Sequence, residues 1–369
     1  MFKKISNDTA NYTGGQDTDV SLFNFEDIFF FILTMPTMMS IILSAIFLNT
    51  LVIMSVYQNK KLQTFTNYFI VSLACTDILV ALFAMTFNAI QTVMGRWIFG
   101  EVVCDFWNIC DVCFSTASIL HLCFISMDRY YSLVDPLKHR SKMTCHKVFV
   151  MLGVIWTLSA VISFIPIYMK IYTTDEHLKN RLRHPETCDF KVNKTYAIIS
   201  SGISFWVPGT LIVGAYIRIY RLAKQATDTS DIDAAEHNDK SISPREKGDP
   251  TVIKRNFNKL KKGHKPEKTL GLISGAFIIC WLPFFVWYDF VSLCSSCECP
   301  EVIGQILFWA GYCNSSLNPI IYAYFNHEFR TTFKKIITDM TSGKIKKRNT
   351  IRENINCHCV RYTGSVEEV

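Results

Sequence analysis

The sequence predicts an all-α membrane protein, a seven-helix transmembrane bundle followed by a short amphipathic helix on the membrane surface. Three observations carry that prediction. Half of the 369 residues are apolar, and they fall in long blocks instead of alternating with polar residues as in a soluble chain of this length. Seven blocks, at about 28–56, 66–92, 103–134, 147–168, 196–220, 269–291 and 302–324, reach the ~20 residues that a helix needs to cross a ~30 Å hydrocarbon core. Lysine and arginine are also spread unevenly around these blocks. With the N-terminus outside, only nine of the 38 (Lys3, Lys4, Arg96, Lys170, Lys179, Arg181, Arg183, Lys191 and Lys194) fall on the outer side, and 29 lie at the cytoplasmic ends, loops and tail. That is the positive-inside distribution. The net charge of +7 then reflects topology and attraction to anionic inner-leaflet lipid, not affinity for nucleic acid.

The chain divides into an extracellular tail (1–27), a seven-helix domain (28–338) and a cytoplasmic tail (339–369). The first tail is polar and lacks the apolar core of a cleavable signal peptide. Its acceptor sequons at Asn7 and Asn11 require a luminal location for glycosylation, in agreement with the charge count. Asn193-Lys194-Thr195 is a third candidate, whereas Asn314-Ser315-Ser316 lies inside an apolar span and reads as a chance match. In the second span, Asp77 is a carboxylate in hydrocarbon, costly and by default functional. A structural hydrogen-bond hub is the plainer alternative.

The third span carries the most information. It opens at Cys104 and passes through Asp111 to Asp128-Arg129-Tyr130. The steps from Asp111 to Arg129 cover about 27 Å at helical rise, which places one acid toward the outer face and the charged triplet at the cytoplasmic rim. Ser115 stands one turn from Asp111 on the same face. Five cysteines fall on the oxidising outer side, namely Cys104, Cys188, Cys294, Cys297 and Cys299. A Cys104–Cys188 bridge would pin the second outer loop over the helix mouth, and the pairing among the other three stays open.

In the fifth span Ser200 and Ser204 share a helical face, with Ser201 beside them and Pro208 one turn on. A lone serine in a membrane helix usually bonds its own backbone. Two on one face opposite an aspartate suit a wall that binds a phenol. The third cytoplasmic loop, 222–265, has an acidic stretch (Asp228, Asp231, Asp233, Glu236, Asp239) that reads as disordered, then a basic approach to the sixth span from Lys254 to Lys265. Around Gly263 and Pro266 the sixth helix is expected to begin only near the proline. Within it, Cys280-Trp281-Leu282-Pro283-Phe284-Phe285 sets aromatics about a proline kink. The tail ends with a basic run and Cys357-His358-Cys359, a weak palmitoylation candidate and a weaker zinc site for want of ligands.

Asp128-Arg129-Tyr130, Cys280-Trp281-Leu282-Pro283 and Asn318-Pro319-Ile320-Ile321-Tyr322, in that order on the third, sixth and seventh spans, resemble the signature set of rhodopsin-like G-protein-coupled receptors. Asn49, Leu73-Ala74-Cys75-Thr76-Asp77, Trp156, Pro208 and Tyr216 match markers on the other spans, and Phe329 fits the membrane-surface helix. The resemblance covers about residues 28–338. The stretches Tyr172-Thr173-Thr174, Cys188 to Lys194, Ser204-Phe205-Trp206 and Leu307 to Tyr312 resemble, more narrowly, invertebrate β-adrenergic-like octopamine receptors within the biogenic-amine group.

The resemblance implies a plasma-membrane receptor whose agonist is a cationic phenylethylamine. Asp111 would pair with its ammonium and Tyr312 would orient the carboxylate. Ser115 would lie nearby, Ser200 and Ser204 would bind the ring hydroxyl, Trp281, Phe284 and Phe285 would hold the ring, and Phe190 would close the lid. Asp128, Arg129, Tyr130, Tyr216, Asn318, Pro319 and Tyr322 would form the switch and the G-protein cleft. Asp77, Ser118, Asn314, Ser315 and Asn318 match the family's sodium pocket, all oxygen donors of the kind a hard cation prefers, and its occupancy would favour the inactive state. No other cofactor is implied. The implied partners are a stimulatory G protein raising cyclic AMP, receptor kinases, arrestin and membrane lipid. One position departs from the family: where many amine receptors carry a glutamate that pairs with the arginine of the third helix, this chain has Gly263.

Dopamine and tyramine are the alternative agonists. An opsin needs a lysine in the seventh span, and residues 302–324 contain none. An amine transporter would show an internal repeat or paired broken helices, and the chain has no repeat. The spans carry no metal or nucleophile–base motif that would point to a membrane enzyme.

Overall fold

A computed structural model of the chain describes residues 25–239, 250–294 and 300–342. Among these residues there are helices and no strands. In chain order the helices are α1 (Phe25–Gln58), α2 (Phe65–Met94), α3 (Gly100–Val134), α4 (Pro136–Lys142), α5 (Cys145–Tyr168) and α6 (Asp175–Arg183). They continue with α7 (Lys194–Ser201, Gly202–Trp206 and Val207–Asp239 in continuous succession), α8 (Pro250–Leu293), α9 (Glu301–Phe325) and α10 (His327–Thr341). Each of the seven expected spans falls within one of α1, α2, α3, α5, α7, α8 and α9.

Six of these are apolar and long enough to cross a membrane by themselves. The seventh, α9, is more polar, carrying Asn314, Ser315, Ser316 and Asn318, and all four are buried against neighbouring helices. Asn49 of α1 donates to the Ser315 carbonyl at 2.9 Å, and Asn318 donates to Asp77 of α2 at 3.0 Å. Polar groups in a bilayer must find partners within the protein, so α9 is held by the residues that make it look least like a span. Leu43 and Phe47 on α1 and Leu158 and Val161 on α5 are exposed. On a soluble protein such a belt would be an aggregation hazard, whereas facing lipid it costs nothing.

The central helix is α3, which packs on α2, α5, α7 and α8. Two membrane helices widen into π-helical turns, α2 at Val80–Met85 and α7 at Gly202–Trp206. Such turns often mark functional positions, and the second lies at the serines. The amphipathic helix α10 buries Phe329, Phe333 and Ile336. It is capped by Asn326, whose side chain accepts from the amides of Glu328 and Phe329.

Two expectations are corrected. The acidic stretch of the third loop is helical to Asp239, as the continuation of α7. Extending an existing helix avoids the cost of nucleation, and Ala234, Ala235 and Glu236 are favourable helix residues. Nor does α8 begin near Pro266. It starts at Pro250, a residue suited to the first helical position, and runs through Gly263 and Pro266. The sequons at Asn7 and Asn11, together with Cys297, Cys299, Cys357 and Cys359, lie outside the described residues.

Candidate functional site

Asp111 sits midway between the mouth of the bundle and its centre, on the inner face of α3. Its Oδ1 accepts a hydrogen bond from the Tyr312 hydroxyl at 2.8 Å, and Tyr312 is fully buried. Among the described residues no basic side chain forms an ion pair with this carboxylate. A half-buried carboxylate in a membrane span without a counter-charge among the described residues is a costly arrangement, and it opens onto a cavity of about 730 Å³. Asp111, Ser115, Phe190, Ser200, Ser204, Trp281, Phe284 and Phe285 all line that cavity, whereas Tyr312 stands behind Asp111.

The floor and far wall are aromatic. Trp281 lies edge-on to Tyr312 with centroids 6.2 Å apart, and Phe284 packs edge to face against Phe308 at 4.7 Å. Phe285 stacks on Phe205 of α7 at 4.5 Å. Edge and offset contacts of this kind are the favourable ones for rings. Opposite Asp111 stands the serine wall of α7. The Ser200 hydroxyl lies 3.1 Å from the Tyr288 hydroxyl, and the Ser204 hydroxyl lies 2.7 Å from Thr116 Oγ1. Ser115 Oγ is buried with no hydrogen-bond partner. The arrangement is a slot with an anion at one end, rings on the sides and hydroxyls at the other end. It suits an aromatic cation with a polar ring substituent.

Thr116 and Tyr288 were not foreseen. Tyr288 stands one turn beyond Phe284, so helical spacing alone put it on the cavity face. Thr116 gave no sequence signal. Asn88 of α2 was missed as well. Its Oδ1 accepts from the Trp309 indole at 2.9 Å and ties α2 to α9 beside Tyr312.

The roof is the second outer loop. Cys104 and Cys188 are joined by a disulfide, with Cα atoms 5.8 Å apart. Phe190 lines the cavity and stacks on Tyr172 at 5.2 Å and 13°. The loop also contains α6, which sequence reading left as loop although its signals were present. Thr174 caps it, Asp175 and Glu176 occupy the first turn, and Arg181 and Arg183 the last, all placed to favour the helix dipole. The Asn193 side chain donates to the carbonyls of Ile171 at 2.7 Å and Thr173 at 3.3 Å. Both amide hydrogens are therefore engaged, which argues against this third sequon as a glycan site. Cys294 is disulfide-bonded.

Deeper in the bundle, Asp77 is fully buried. Asn318 bonds its Oδ2, while Asp77 Oδ1, Ser118 Oγ, Asn314 Oδ1 and Asn318 Oδ1 are buried without hydrogen-bond partners. Orphaned oxygens are rare in folded proteins, and four together from three helices fit a hard cation.

At the cytoplasmic rim Asp128 accepts from the Thr66 hydroxyl at 2.8 Å and lies 2.9 Å from His139 Nε2 of α4. Neighbouring Arg129 forms no ion pair among the described residues, and its Nε is buried without a partner. The hydroxyls of Tyr216 on α7 and Tyr322 on α9 are likewise buried and unpartnered. Tyr130 packs against Tyr131 at 5.4 Å, away from this cluster. Pro319 lies within α9 beside Asn318. Ser126 of α3 and Ser274 of α8 lie 3.2 Å apart through their hydroxyls, which joins the inner halves of those helices.

Residues 48–322 match the family model described as 7 transmembrane receptor (rhodopsin family). The octopamine receptor beta-1R of Drosophila melanogaster is 49% identical over 306 residues, which is 81% of this chain and 60% of that relative. The octopamine receptor beta-2R of Chilo suppressalis is 48% identical over 307 residues, 80% of this chain and 77% of that relative. The D(1C) dopamine receptor of Xenopus laevis is 41% identical over 336 residues, 86% of this chain and 71% of that relative. The chain thus spans less than two thirds of the length of the Drosophila protein.

Proposed function

The chain belongs to the rhodopsin family of seven-transmembrane receptors, and from that premise we propose that it is a biogenic-amine receptor whose agonist is octopamine. It acts at the plasma membrane with its N-terminus outside, through a stimulatory G protein that raises cyclic AMP. The observation that carries the reading is the half-buried Asp111 carboxylate, which has a phenol to orient it and, among the described residues, no cation to neutralise it. A protonated amine supplies that charge, and a charge-assisted bond selects strongly for it. Phe284 and Phe285 hold the ring, Phe190 covers it, and Ser200 and Ser204 take the ring hydroxyl.

An agonist shifts a receptor only through unequal affinity for its two states. The serine wall and the Trp281 floor belong to different helices, α7 and α8, so a ligand that draws the serines inward acts on α8 across the Phe205–Phe285 stack. Asp77, Ser118, Asn314, Ser315 and Asn318 would hold a sodium ion, whose chemistry when bound is a counter-charge for Asp77. Receptor kinases and arrestin are expected partners of the inner face and tail.

The test is a panel of octopamine, tyramine, dopamine and unsubstituted phenylethylamine, scored for cyclic AMP, calcium and amine uptake in transfected cells. The reading expects octopamine to raise cyclic AMP at the lowest concentration without uptake. Greater potency for dopamine or tyramine would reassign the agonist, and uptake without a second-messenger change would make the chain a transporter.

A further inference from the structure

The second outer loop contains a construction that amine recognition does not by itself require. The segment from Cys188 to Asn193 is fixed at both ends, by the disulfide to Cys104 and by the Asn193 amide donating to the Tyr172 carbonyl at 2.8 Å. Phe190 is in the middle of this short tether, so neighbouring contacts decide where its ring sits. The ring packs on Tyr172 and on Tyr196 of α7, and α6 braces Tyr172 and the backbone beside Phe190. His177 and Arg181 are the two residues that α6 buries, one turn apart and therefore on the same face. His177 Nε2 lies 3.2 Å from the Asp189 carbonyl, next to Phe190. Burial pushes the pKa of this histidine down, so a neutral ring with its hydrogen on Nε2 makes that bond.

Arg181 acts from the other side. Its guanidinium, 4% exposed, donates to the Tyr172 hydroxyl at 2.9 Å and to Asp105 Oδ1 of α3 at 3.2 Å. Lys170 pairs with the other oxygen of Asp105 and reaches Glu101 at 3.5 Å. Tyr172 is fully buried, and its ring is the one on which Phe190 stacks. The outer end of α3 is thereby connected through Asp105, Arg181 and Tyr172 to the cavity roof.

We propose that α6 is a strut that positions Phe190 over the cavity, with Arg181 and His177 as positioning residues, and that it sets how long a bound amine remains. The residence time rests on the amine reading above, whereas the strut itself does not. Two measurements separate them. In ligand-free receptor, hydrogen exchange at the amide of Asn193, which donates to the Tyr172 carbonyl, is expected to rise on Arg181→Met. Dissociation of tritiated octopamine, at matched surface expression, is expected to accelerate about tenfold with little change in association.

A general loss of folding would speed dissociation whether or not Phe190 is present. The strut instead predicts that Arg181→Met adds nothing in a Phe190→Ala background, because the ring being positioned is gone. Tyr172→Phe removes only the phenolic oxygen and serves if Arg181→Met fails to reach the surface. It is expected to change both readouts in the same direction by a few-fold, as for one lost hydrogen bond. Unchanged exchange at Asn193 in the surface-expressed variant, or additive effects in the double variant, would overturn the proposal. Raised exchange in a receptor that does not bind octopamine would leave the strut standing and remove the agonist assignment.

Discussion

Gly311 on α9 offers a direct way to test whether the Trp281 floor belongs to the switch. A Cβ added there would lie 2.7, 2.8 and 2.9 Å from Cε3, Cζ3 and Cδ2 of Trp281. These are atoms of the fused ring, not the end of a flexible chain. Relief requires a movement of about 0.7 Å to reach ordinary contact near 3.4 Å, in an interior too close-packed to yield freely. The indole is already hemmed in by Phe277, Phe284, Phe285, Phe308 and Tyr312. Overpacking of this sort costs about 1–3 kcal/mol. That penalty falls on the arrangement described here, in which Ser126 and Ser274 hold α3 and α8 together at their inner halves. A state that moves the indole away from α9 is relieved of it, and the equilibrium moves by about 5- to 150-fold. Gly311→Ala is therefore expected to raise cyclic AMP without agonist at matched surface expression. Gly275→Ala on α8, where a Cβ meets nothing within 4 Å, is the control and should leave it alone. Unchanged basal signal and agonist potency in Gly311→Ala would refute the reasoning, because the indole would then have moved at no cost to the state.

Asp111→Asn keeps the size and the Tyr312 contact but removes the charge, so amine potency should fall by at least ~100-fold, as expected for a lost buried charge partner worth about 3–5 kcal/mol. The readout is agonist potency at normal surface level. Ser200→Ala and Ser204→Ala should each weaken amines that carry a ring hydroxyl by about 2- to 12-fold, one hydrogen bond's worth, and leave unsubstituted phenylethylamine unmoved. Equal losses for both ligands would place the hydroxyl elsewhere. Gly263→Glu should lower basal cyclic AMP by up to about fivefold, as an exposed ion pair contributes at most ~1 kcal/mol, because Arg129 has no acidic partner among the described residues.

The fold was legible because a bilayer leaves few choices. Runs of apolar residues must become helices, and positive charge marks the inner side. The site was legible where its chemistry is costly: a carboxylate at Asp111 or Asp77 in a span announces itself. Less was legible where cheap residues do the work. Thr116 bonds Ser204, yet its hydroxyl is one of many that could as well bond its own backbone. His139 takes Asp128 through the turn of α4, a contact that depends on how an inner loop folds back and that no periodicity encodes. The lid helix α6 had its capping threonine, acidic first turn and basic last turn in plain view. Because its residues are charged and its neighbours apolar, it read as a loop between spans. The acidic stretch of the third loop erred in the opposite direction. Composition argued for disorder, but the residues follow directly from a helix already formed.

Three of the buried polar groups without partners gather at the inner end of the bundle. Arg129 Nε, Tyr216 Oη and Tyr322 Oη are buried without partners, and they come from α3, α7 and α9 near the cytoplasmic rim. Each such group costs on the order of 1–3 kcal/mol, so a single-state protein would gain by replacing them. A two-state protein gains by keeping them if its second state or its partner satisfies them. Among the described residues Ser126 and Ser274 form a hydroxyl pair beside them, and the position that could supply a glutamate is Gly263. Towards the outer half, α8 is tied to α9 by the packing of Trp281 on Phe308 and Tyr312. A ligand in the outer cavity would bear directly on that aromatic packing, because Trp281, Phe284, Phe285 and Phe308 line the cavity.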